Sequence, residues 1–218
     1  MSGVTEVQPT TGRPNTTDHW QGHAVWLMPM LGAVVVGIVS LLAHEYLPAG
    51  PDLIGHSAAL WLAFAFYLGA RSKHGVDAVA TGMFSLIGVV LVYYGSLRLS
   101  FGRTDFPTVE KFWFLAAVVG GPIFGGLGYL YRSRRAVLSG FAAAALGAVF
   151  IAEAVNYRTL GGNAGAALTV EAIIGVVLPF AIVRGRTALL AVLVCLPVLM
   201  ALGLVAFEIV NELFWRAS

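Results

Sequence analysis

The sequence predicts an all-α, polytopic transmembrane bundle of seven helices. Three observations carry that prediction. Of the 218 residues, 58% are hydrophobic and 11% charged, whereas a soluble domain carries about 25% charged residues. Seven apolar runs approach the ~20 residues that cross a ~30 Å hydrocarbon core as a helix. The connections between those runs alternate in charge, every second one being short and basic.

The elements follow in order. Residues 1–22 hold Thr, Pro, Gly, Gln and Asn with scattered charge, a composition that buries too little apolar surface to order itself. They read as a flexible cytoplasmic tail ahead of a transmembrane domain over 23–215. The first run, Ala24–Tyr46, exceeds the 7–15 apolar residues of a signal peptide; cleavage after it would leave six helices. The remaining runs are Ile54–Ala70, Val76–Leu97, Phe112–Tyr131, Ala136–Asn156, Ala166–Val183 and Thr187–Phe207, the last continuing to about Trp215.

The turns "RSKHGVD", "RSRR" and "RGR" follow helices two, four and six and hold seven of the thirteen Lys and Arg. By the positive-inside rule these turns are cytoplasmic, which puts the N-terminus inside and the C-terminus outside. The expected location is the cell (inner) membrane, crossed many times. The preference for Arg over Lys and the excess of Ala and Gly hint at a bacterial genome rich in GC. Trp20, Trp26, Tyr67, Tyr129 and Tyr131 fall at the inner rim; Tyr46, Tyr93, Tyr94, Trp113, Tyr157 and Trp215 fall at the outer rim. They form the two expected aromatic belts.

Several functions lose support. A net charge of +2 with no basic stripe gives no footprint for nucleic acid. The single Cys195 forms no internal disulfide and has no zinc-ligand spacing. "AHEYL" lacks the second His of H-E-x-x-H, and neither G-x-S-x-G nor a Walker motif occurs. No catalytic residue, cofactor or metal site is therefore assigned.

Helix four reads "VVGGPIFGGLGYLY". Gly121 and Gly125 form a small-xxx-small pair, which lets two helix backbones meet in lipid. Pro122 removes one backbone donor and bends the helix; Pro179 and Pro197 do the same in helices six and seven. Packing and hinge roles are both open for these positions. The blocks "LWLAFAFYLGAR", "VYYGS", "FWFLAAVVGGPIFGGLGYLYR" and "AEAV" resemble a family of small multi-helix bacterial membrane proteins classed only as a domain of unknown function. The resemblance covers roughly 30–205. It implies the helical bundle and assigns no residue a role.

The polar residues within the apolar runs are the candidate site. Counted from the basic turns, Glu171 lies roughly 20 Å into the span, His56 roughly 22 Å, Glu153 roughly 27 Å and Glu208 roughly 33 Å. Glu171 and His56 thus sit inside the hydrocarbon, Glu153 at its outer edge where water can satisfy it, and Glu208 beyond it. "EAVN" at 153–156 is echoed by "EIVN" at 208–211, at corresponding ends of helices five and seven. Ser139, Ala142, Ala143, Leu146 and Phe150 share a stripe with Glu153, and Gly175 and Pro179 share one with Glu171. Both stripes point the carboxylates into the bundle. The ion- or substrate-binding candidates are Glu171, Glu153, Asn156, Glu208, Asn211, His56, Glu45 and His44. They predict a small permease-like or solute- or cation-binding protein with an outward-facing acidic pocket, its ligand a small cation or a proton. Two alternatives stand beside it. One is a structural or accessory membrane protein acting with a protein partner or as a homo-oligomer. The other is a membrane-embedded enzyme.

Overall fold

A computed structural model describes residues 17–48, 54–55, 57–102, 107–160 and 165–217. They form seven helices: α1 (Thr17–Tyr46), α2 (Ala58–Arg71), α3 (Gly75–Phe101), α4 (Pro107–Tyr131), α5 (Ala136–Leu160), α6 (Gly165–Ile182) and α7 (Arg186–Ala217). No strand occurs among the described residues. The helix count follows the sequence reading, and α1 extends six residues into the segment read as tail.

One element differs in kind. Six helices are long and apolar enough to cross a membrane, but α2 has only 14 residues. It spans about 21 Å, short of a ~30 Å core. The run from Ile54 is therefore not helical throughout. Gly55 lies against the backbone of α1, where an added Cβ would meet the Ser40 carbonyl oxygen at 2.7 Å. Ser57 then turns extended (φ −63°, ψ 123°), and its hydroxyl accepts the N–H of Leu60. A helix with an N-cap serine starts after it, so α2 begins at Ala58.

Glycine decides how the helices meet. A Cβ on Gly121 would collide with the backbone of α3 at Gly82 and Met83, and one on Gly125 with the Ala78 carbonyl. Gly69 of α2 packs on the same Gly125 backbone. The predicted small-xxx-small pair thus brings α2 and α3 onto α4. Gly147 and Gly175 do the same between α5 and α6, with Pro179 seated against Gly147. The helices fall into two groups, α1–α4 and α5–α7, joined by a thinner seam between α4 and α5. Phe66, Leu146 and Phe150 fill the core across that seam, with α2 also touching α5.

The three basic turns share one end. Arg132 donates to the Ala70 carbonyl (2.9 Å), and the Tyr131 hydroxyl donates to the Ile182 carbonyl (2.8 Å). This basic end lies opposite the end where α2 and α6 begin and α5 finishes. The belts are corrected at two positions: Tyr93 and Tyr157 are buried inside the bundle. Tyr93 stacks edge-on against Trp61, at 5.6 Å between ring centroids.

Candidate functional site

The site is built where a short helix ends inside the bundle. The first four N–H groups of a helix have no partner within it, and in lipid no water replaces them. At α2 every one of them is accounted for. Ser57 N–H donates to the Ile54 carbonyl (3.3 Å), and Leu60 N–H donates to Ser57 Oγ (3.2 Å). Ala58 N–H and Ala59 N–H both donate to the carboxylate of Glu153, at 2.9 and 2.6 Å. Glu153 arrives from α5, nearly a hundred residues away in the chain. A negative charge there also complements the positive end of the α2 dipole.

Glu153 is 4% exposed. Water does not satisfy it, contrary to the depth estimate. It also accepts the Ser57 hydroxyl (3.0 Å) and faces the Tyr157 hydroxyl (3.3 Å). Each oxygen then has two partners, which fills the roughly four acceptor positions of a carboxylate.

Tyr157 lies one turn beyond Glu153 on the same face. Its hydroxyl stands 3.2 Å from Glu171 Oε1 as well, so it bridges the two acids. Side chains on a helix lean toward its N-terminus. Glu153 on α5 therefore leans toward the basic end, and Glu171 on the antiparallel α6 leans away from it. The level difference counted along the helices closes by this convergence. Glu171 is 1% exposed, and its second oxygen, Oε2, has no hydrogen-bond partner among the described residues. Among the described residues, Glu153 and Glu171 are the only buried Asp, Glu, Lys, Arg or His side chains.

The other candidates scatter. The stripe from Ala142 through Leu146 and Phe150 to Glu153 is buried, as is that of Glu171, Gly175 and Pro179. Asn156 is half-buried beside the site. His44 and Glu45 are half-buried at the end of α1, and His44 faces Tyr93 at 6.3 Å between ring centroids. Glu208 is exposed on α7. His56 and the side chain of Asn211 lie outside the described residues. Two members of the site escaped the sequence reading. Tyr157 looked like an interfacial aromatic, although its spacing of four from Glu153 was visible. Ser57 carried no signal except as a possible N-cap before an apolar run.

Six long apolar helices around a buried acid pair define a multi-pass helical membrane protein. The chain belongs to a family of unknown function, DUF6518, whose model matches residues 16–213. No curated protein and no solved structure gives a match.

Proposed function

We propose that this protein is a small permease-like membrane protein that carries a proton through Glu171. The observation behind this reading is the division of labour between the two acids. Glu153 has four donors and nothing left to offer a ligand. Glu171 has one oxygen on Tyr157 and a second, buried one without a partner among the described residues. Embedded acids of this kind serve proton relays. With a proton on Glu171 the donors run in one direction, from Glu171 to Tyr157 to Glu153. Without it, the single phenolic proton faces two carboxylates and satisfies one at a time. A proton suits the site better than a metal ion such as Ca²⁺, which takes six or more oxygen ligands.

In this reading the basic turns face the cytoplasm of a bacterium and the acid pair lies toward the outer half of the cell membrane. The test is proton flux into liposomes that enclose a pH-sensitive dye. Glu171→Gln removes the exchangeable proton and is expected to lower flux about a hundredfold or more, the smaller end of what a positioned acid or base contributes. Full flux in that variant, or no flux above protein-free liposomes in the unmodified protein, ends the proposal.

A further inference from the structure

A furrow runs along the surface where the two helix groups meet. It encloses about 840 Å³ between α3, α4, α5 and α7. Gly75 and Tyr129 mark its mouth near the basic end, Gly126 and Ala145 its floor, and Gly203 and Phe207 its α7 wall. Along α4 it reaches from Leu130 to Pro122, about 12 Å, and on α7 it continues to Gly203, level with Ala152 of α5, and to Phe207, so it runs past the middle of a ~30 Å hydrocarbon core. The exposed Val79, Ile123 and Tyr129 line it, so it faces the bilayer.

The glycines of α4 divide between two tasks here. Gly121 and Gly125 are pressed against the α3 backbone. A Cβ on Gly126 would meet only Val79, at 3.6 Å, an ordinary contact. Helix packing therefore leaves this position free for a side chain, and its absence keeps the furrow open. At the mouth the charge is one-sided. Lys73 precedes Gly75 by two residues, and Arg132, Arg134 and Arg135 follow Leu130. All four are exposed, and Asp77 of α3 is half-buried between Gly75 and Val79 in the chain. Arg132 donates one N–H to the Ala70 carbonyl and has others to offer.

We propose that the furrow is a binding site for one anionic phospholipid, its acyl chain lying between α4 and α5 and its phosphate among Lys73, Arg132, Arg134 and Arg135. Basic pockets between membrane helices bind anionic headgroups by charge. The apolar furrow supplies the complementary half of the ligand. None of Ser57, Glu153, Tyr157 and Glu171 lines it, so the proposal does not rest on the acid pair.

The test titrates the purified full chain in detergent with phosphatidylglycerol or phosphatidylcholine and reads bound lipid by native mass spectrometry. The expected result is one saturable phosphatidylglycerol, with phosphatidylcholine a poor substitute. Gly126→Phe fills the furrow, and the combined Lys73→Gln, Arg134→Gln and Arg135→Gln variant strips the rim. Each is expected to weaken binding about tenfold or more. A photoactivatable phosphatidylglycerol, with its reactive group on the acyl chain, is applied to the unmodified protein so that a misfolded variant does not decide the matter. Its crosslinks are expected on α4 and α5 peptides lining the furrow. Equal binding of both lipids, equal binding by the filled variant, or crosslinks elsewhere overturns the proposal. So does a lipid-free dimer crosslinked through the furrow, which would make the occupant a second copy.

Discussion

Glu153 and Glu208 begin the same pattern, Glu-x-Val-Asn, near the same end of two helices that pack closely on each other. One is buried and holds another helix in place; the other is exposed. Two differences separate them. Ala152 of α5 stands level with Gly203 of α7, since a Cβ on Gly203 would touch the Ala152 methyl at 3.0 Å. Glu208 therefore lies about 6 Å, a full helical turn, beyond the level of Glu153. The second difference is the neighbour. Glu153 points at the open N-terminus of α2, whereas α7 has only slight contact with α6 and none of note with α2. A carboxylate in this bundle acquires a role from the unpaired donors it meets, not from the residues around it in the chain.

Removing Glu153 should break the comparison most visibly. Glu153→Leu leaves the N–H groups of Ala58 and Ala59 and the Ser57 hydroxyl without their acceptor in a region closed to water. At about 1–3 kcal/mol for each buried unsatisfied group, a loss of at least ~3 kcal/mol is expected, read from unfolding in mixed detergent micelles. A smaller effect follows from Tyr157→Phe, which keeps the ring and deletes the bridge. It should cost about 0.5–1.5 kcal/mol, the net worth of one hydrogen bond. The smallest change is expected for Glu208→Leu, within about 0.5 kcal/mol as for an exposed position. Equal losses at Glu153 and Glu208 in the same titration would show that the two motifs are equivalent after all.

Much of the site was legible. The stripe of small residues below Glu153 and that of Gly175 and Pro179 below Glu171 pointed both acids inward, because residues three and four apart share a helix face. The depth count put Glu171 inside the hydrocarbon. It misjudged Glu153 because counting along an axis ignores which way side chains lean and what lies opposite them. Tyr157 reads as a belt residue for the same reason: composition at a helix end does not distinguish a ring facing lipid from one facing a neighbouring helix.

The sequence by itself determined the seven apolar helices, the basic turns gathered at one end and the glycine contacts of α4. Each follows from the solvent: a bilayer demands long apolar helices with their backbone groups paired inside, and glycine is what allows those helices to approach. Only the tertiary structure decided that α2 stops short and that Glu153 closes its open end. It alone placed Tyr157 between two acids and left Gly126 facing a furrow. These depend on which helix lies beside which, and on the donors, acceptors and empty space each brings, which periodicity along one chain segment does not encode.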